Sequence, residues 1–134
     1  MATATKTKAA LKAKTLMANL TVNDLQRSMR FFEGLGFAVD EKWEDEGKVL
    51  GVMLRAGDAQ IGLMQDDWQK GHDRQKGAGV RVLIGTKQDI DEIAARAEEA
   101  GIVLDSRPHD TEWGSRAFDL TEPSGFKLTI SSDV

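Results

Sequence analysis

The strongest constraint on this 134-residue chain is that it carries one pattern twice. Asp24-Leu25 stands 12 residues before Gly36-Phe37, and Asp89-Ile90 stands 12 residues before Gly101-Ile102. In the first copy, Leu16 to Val22 alternates, with Leu16, Ala18, Leu20 and Val22 on one face, the period of a half-buried strand. Asn23 is expected to cap a helix, with Gln26 as its partner three residues on. Leu25, Met29, Phe32 and Leu35 recur at helical spacing, and Gly34 and Gly36 end the helix. Strands are expected at Phe37–Trp43, Lys48–Arg55 and Ala59–Gln65, with turns at Glu46-Gly47 and Ala56-Gly57-Asp58. The second copy has a strand at Val80–Ile84, a cap at Thr86 and a helical stripe of Ile90, Ile93, Ala94, Ala97 and Ala100 stopped by Gly101. Its three further strands are Ile102–Asp105, Ser115–Leu120 and Phe126–Ser131.

A unit of one strand, one helix and three strands covers only one face of its sheet with its helix. Pairing two such units edge to edge bends the strands into an open, concave mixed β-sheet barrel with both helices on the outer face. The expected class is therefore α+β with two βαβββ modules, and the concavity is a natural small-molecule pocket. Residues 1–14 are expected to be a flexible basic tail. Residues 15–134 form a single domain: module one 15–66, a polar linker 67–78, and module two 79–134.

The chain is long enough to bury a real core without covalent staples. It has no cysteine, which removes disulfides, thiolate nucleophiles and cysteine metal sites. No apolar run approaches a membrane span and no signal-peptide core follows the N-terminus, so no membrane partner is expected and the cytoplasm is the default location. The first 14 residues hold four lysines and no acid, leaving 14 basic and 22 acidic groups in the rest, a net of −8. An acidic body is a poor match for a polyanion, so nucleic acid is not an expected partner. The Ala/Thr/Lys leader is open to two readings, a targeting segment or a solvated tail.

Two runs carry a family resemblance: LTVNDLQRSMRFFEGLGF (Leu20 to Phe37) and WGSRAFDLTEPSGFKLTI (Trp113 to Ile130). From about Leu16 onward the chain resembles the vicinal-oxygen-chelate superfamily, the glyoxalase, bleomycin-resistance and extradiol-dioxygenase relatives. Glu122-Pro123-Ser124-Gly125 stands where relatives usually carry Asp-Pro-Asp-Gly. The resemblance implies four inward metal-ligand positions, on the first, fourth, fifth and eighth strands. Strand parity puts Met17, Gly62, Gly79 or Arg81, and Thr129 there. These are not the carboxylates and imidazoles a hard divalent cation requires, so neither a metal nor another cofactor is expected. Enediolate or dioxygen chemistry then lacks its electrophile.

No residue stands in a recognisable nucleophile motif. His72 is expected to be solvated in the linker. His109, in a polar loop beside Asp110 and Glu112, is either a general base or an exposed loop histidine. The acidic group Glu41, Glu44, Asp45 and Glu46 has the makings of a solvated turn. Binding has more candidates than catalysis. Asn19, Gln60, Arg81, Lys127 and Thr129 are expected on the inner face. Arg81 and Lys127 either meet an anionic ligand or find protein carboxylates or the open rim. Trp43, Trp68 and Trp113 lie outside the core pattern and either stack on a flat ligand or pack at an edge. Met17, Met53 and Met64 are a pliable lining or simply core. The expected function is metal-independent binding of a small organic compound, anionic or aromatic, by a homodimer that sequesters or senses it. The alternatives are a lyase, isomerase or dioxygenase-like enzyme, and a partner-binding domain with a filled concavity.

Overall fold

The computed structural model describes residues 4–132. Its elements run β1 (Ala18–Val22), α1 (Leu25–Leu35), β2 (Ala38–Asp45), β3 (Lys48–Ala56), β4 (Ala59–Gln65), β5 (Arg81–Thr86), α2 (Ile90–Glu99), β6 (Leu104–Asp110), β7 (Arg116–Thr121) and β8 (Lys127–Ser132). Strand order is β1-β4-β3-β2 in one sheet and β5-β8-β7-β6 in the other, so the repeated pattern folds into the same topology twice. β1 with β4 and β5 with β8 are parallel, and the remaining pairs are antiparallel. Of the tail assigned to residues 1–14, residues 1–3 lie outside the described residues. Residues 4–14 are exposed and form no helix or strand.

The helices start later than the sequence pattern suggests, α1 by one residue and α2 by three. Asp24, not Asn23, is the N-cap of α1, and its carboxylate accepts from the Arg27 N–H. Asn23 is engaged elsewhere: its N–H donates to Ser124 Oγ at 2.8 Å and its carbonyl accepts from Gln65 Nε2 at 2.8 Å. Asp89 likewise caps α2 in place of Thr86, whose Oγ1 accepts from the Gln88 N–H. Gly34 does not end α1 but sits inside it. A Cβ there would stand 2.9 Å from Ala100 Cβ, so the missing side chain lets α1 approach the end of α2. Gly36, at φ 110°, is the left-handed C-cap.

The helix-side faces of both sheets and the inner faces of both helices merge into one core. Phe32, Leu54, Leu63, Phe118, Leu120 and Leu128 are fully buried in it, and Phe32 meets Phe31 and Phe37 edge-on at 5.2 and 5.4 Å. Two apolar residues expected on that side are outside it. Leu16 is 97% exposed and Val80 is also exposed, because β1 pairing starts at Ala18–Ile61 and β5 pairing at Arg81–Lys127. β6 also starts two residues later than expected. The Ile102 N–H is spent closing the end of α2 on the Ala97 carbonyl.

The modules are joined by a buried polar clasp. Ser28 Oγ on α1 donates to Glu122 Oε2 at 2.8 Å, and the other Glu122 oxygen accepts the Ser124 N–H. Beside it the linker returns through Lys76, whose Nζ lies 2.7 Å from Asp66 Oδ2 and donates to Asn23 Oδ1. Asp66 also receives Arg74 at 3.0 Å and the Trp68 N–H, and its carboxyl is brought down to about 2, first by the Lys76 hydrogen bond. Edge strands β1 and β5 are not hydrogen-bonded to each other, so the barrel stays open along a seam between the sheets.

Candidate functional site

Register places the residues that share the open face of each sheet, because directly opposed residues point the same way. On module two, Arg81, Lys127 and Thr121 form one row, and Leu83, Thr129, Asp119 and Ser106 form the next. Arg81 Nη1 donates to Thr129 Oγ1 at 2.9 Å and lies 3.3 Å from Asp119 Oδ1. Ser106 Oγ donates to the other Asp119 oxygen at 2.9 Å. Burial pushes the Asp119 carboxyl up, but hydrogen bonds from Thr129 and Ser106 and the charges of Arg81 and His109 outweigh it and hold it below the usual carboxylate range. Lys127 Nζ donates to Thr121 Oγ1 at 3.1 Å and stands 3.9 Å from Asp105. Both cations therefore find protein carboxylates, and neither depends on an anionic ligand to balance it. Parity alone pointed to Arg81, Lys127 and Thr129 but missed Asp119. The alternation of Asp119 between buried Phe118 and Leu120 was the available signal.

Module one presents a different face. Its rows are Asn19, Gly62, Met53 and Glu41, then Thr21, Met64, Gly51 and Trp43. Asn19 lies across Gly62, where a Cβ would meet Oδ1 at 2.6 Å, and Met64 lies across Gly51, where a Cβ would meet Sδ at 2.5 Å. Met53 and Met64 are half-buried on this face, while Met17 is exposed and precedes β1. Gln60, in the row with Arg55, reaches Asp40 at 3.5 Å.

Between the sheets lies a cavity of about 570 Å³. Phe37, Ile61, Leu83 and Ile84 form apolar wall, and Lys14, Thr15, Asp58, Gln60 and Arg81 bring polar groups to it. Leu83, 72% exposed, is an apolar side chain standing open at this seam. Such a lining, apolar wall interspersed with polar groups, is chemistry that a small-molecule pocket can use.

The tryptophans do not converge, and none lines this cavity. Trp43 is on β2 with 44% exposure, and Trp113 is in the β6–β7 turn with 71%. Trp68 is folded into the linker: the His72 ring stacks on it at 4.9 Å and Lys76 Nζ sits 4.6 Å from its ring centre. His72 is thus exposed but stacked rather than free in solvent. His109 lies in β6, not in a loop, with Nδ1 2.8 Å from the Arg107 carbonyl. The neighbouring Asp110 carboxylate is taken by Arg116 at 3.0 Å, which also grips Asp91. The cluster Glu41, Glu44, Asp45 and Glu46 is exposed around the β2–β3 turn.

The four positions where relatives hold a metal do not fit one. Met17 is a thioether outside the strand, Gly62 has no side chain and Gly79 is an exposed turn glycine. Thr129 is committed to Arg81 and Asp119. Among the described residues no group of three or more His, Cys, Asp or Glu side chains is placed to hold an ion.

Solved structures with this arrangement are numerous. TioX from Micromonospora sp. superposes with a TM-score of 0.73 at 17% identity, covering 91% of this chain and 100% of its own. A Sphaerobacter thermophilus member of the glyoxalase/bleomycin resistance protein/dioxygenase superfamily gives 0.68 at 23%, covering 91% and 98%. A bleomycin-binding protein solved with bleomycin gives 0.66 at 20%, covering 91% and 100%. No curated protein matches the sequence. The family model for the glyoxalase/bleomycin resistance protein/dioxygenase superfamily matches residues 14–130. With the doubled βαβββ topology and that match over most of its length, the chain belongs to the glyoxalase/bleomycin resistance protein/dioxygenase superfamily.

Proposed function

We propose that this protein is a metal-independent small-molecule-binding member of its superfamily, a single domain over residues 15–134 that works as a cytoplasmic homodimer and sequesters or senses an organic compound. The seam cavity carries the reading. It combines an apolar wall with the polar side chains of Lys14, Thr15, Asp58, Gln60 and Arg81, in a volume suited to a small organic ligand. Thr129 holds Arg81 in place and Lys127 flanks it on the same face. Because Arg81 and Lys127 have carboxylate partners, they ask of the ligand hydrogen-bonding polarity rather than a full negative charge. The open faces bearing Asn19, Trp43 and Trp113 fit closure by a second copy, and the bleomycin-binding neighbour supplies the first compound to try.

Calorimetry on chelator-stripped protein tests the reading. Bleomycin and a panel of uncharged aromatic compounds are titrated, followed by nickel, zinc, manganese and ferrous ions, with the oligomeric state measured by light scattering. The expected result is a compound that binds without metal and is lost in the Gln60→Ala, Arg81→Met double variant. Tight uptake of one ion per chain, or a ligand indifferent to that double variant, would overturn it.

A further inference from the structure

The two ends of the module interface are related by the sequence repeat, yet they are built differently. At one end the β1–α1 corner meets the β7–β8 turn, and the Ser28–Glu122 clasp fills the space between them. At the other end the β5–α2 corner faces the β3–β4 turn across a gap. The repeat that aligns Asp24 with Asp89 puts Ile93 where Ser28 stands, and the residue following β3 is Gly57 where Glu122 follows β7. The β3–β4 turn is also shorter, with only Gly57 and Asp58 between its strands. An isoleucine and a glycine cannot make the clasp, and the short turn does not reach across.

The space left open is a cavity of about 1010 Å³ on the helix side of the sheets. Leu35, Phe37, Ile84, Ile93 and Ile130 face it, all core or core-packed residues that a closed interface would cover. Lys87, Arg96 and Asp58 are its charged lining residues. Among the described residues neither Lys87 nor Arg96 is within ion-pairing distance of a carboxylate. Arg96 reaches from α2 across to the end of α1, its Cζ 3.9 Å from where a Cβ would stand at Gly36. A chamber with an apolar wall on one side and two unpaired cations, one acid, Thr86 and Gln88 along the other calls for an occupant with an apolar chain and an anionic head.

We propose that this chamber, which adjoins the seam pocket and shares Phe37, Asp58 and Ile84 with it, is a second binding site, for a single-chain anionic amphiphile such as a medium-chain carboxylate. The alkyl chain lies against Leu35, Phe37 and Ile93, and the carboxylate is held by Arg96 and Lys87. At the opposite end the Ser28–Glu122 clasp occupies the corresponding space between helix and turn.

The probes are octanoate, decanoate and dodecanoate below their micelle concentrations, titrated calorimetrically, with decyltrimethylammonium as the cationic control. One carboxylate is expected per chain, with affinity rising about fourfold per added CH₂ until the chamber is full. The cationic control should not bind. Arg96→Glu with Lys87→Glu should reverse that preference in protein whose circular dichroism is unchanged. Ile93→Trp should block the chamber. Equal binding of both head groups overturns the proposal, as does affinity unaffected by the charge reversal. Decanoate binding lost in Arg81→Met but kept in Arg96→Met would put the ligand in the seam pocket and equally overturn it.

Discussion

Ser28→Ala is the substitution that reports most directly on how the two modules are held together. Ser28 is fully buried, and its hydroxyl is the donor from α1 to Glu122, whose side chain is 1% exposed. Alanine fits the space, so the change removes one hydrogen bond and little packing. It also leaves Glu122 Oε2 buried with no partner. A hydrogen bond to a charged group contributes about 1.5–3 kcal/mol, and an unsatisfied buried polar atom costs about as much. The expected loss is about 2 kcal/mol, of which almost none comes from lost apolar area. With a urea m-value of about 1–3 kcal/mol/M, the midpoint should fall by roughly 1 M at unchanged m. Glu122→Ala should cost more, since it also frees the Ser124 N–H. The double variant should cost less than the sum by about 1–2 kcal/mol, the coupling expected of residues in direct contact. Urea unfolding of the four proteins measures every corner of that cycle. A Ser28→Ala loss below about 0.5 kcal/mol, or additivity within that margin, would show that the clasp does not join the modules.

Two further perturbations probe the linker. Gly77→Ala places a Cβ 2.3 Å from the Gly125 carbonyl oxygen at a backbone φ of 81°, so it combines a backbone clash with left-handed strain. A loss of about 2–4 kcal/mol is expected, and a thermal midpoint within a degree or two of wild type would contradict the close approach of linker and β7–β8 turn. Asp66, held at about 2 against an ordinary 3.8, stabilises the fold fully above pH 4, and that stabilisation drains away as pH falls from 4 towards 2. The Asp66→Asn protein should lose this part of the acid limb in urea midpoints measured across that window. An acid limb of unchanged slope there would mean the Lys76–Asp66 pair does not survive in solution.

The doubled topology was legible because it rests on local rules. Alternation, helical spacing and glycine stops depend on neighbours within a few residues, and β4 falls at Ala59–Gln65 as its pattern suggests. The same rules put Arg81, Lys127 and Thr129 on one face, since side-chain parity follows from strand geometry alone. Capping was less legible: Asn23 and Asp24 are both good N-caps, and a distant residue, Ser124, decides between them. His109 failed for a related reason, since Leu104–Asp110 has little apolar alternation and becomes a strand by pairing with β7.

What the sequence by itself determined is the class of the fold, the absence of cysteine chemistry and the poverty of metal donors at the inward positions. Only the tertiary structure decided that Arg81 and Lys127 are balanced by Asp119 and Asp105, because those carboxylates arrive from other strands of the same sheet. It alone decided that Trp68 belongs to the linker's own packing, and that one end of the module interface is clasped while the other stays open. The physical reason is range. Periodicity and turn chemistry act over a few residues, whereas ion pairs and cavities form between residues tens of positions apart, whose meeting depends on the completed fold.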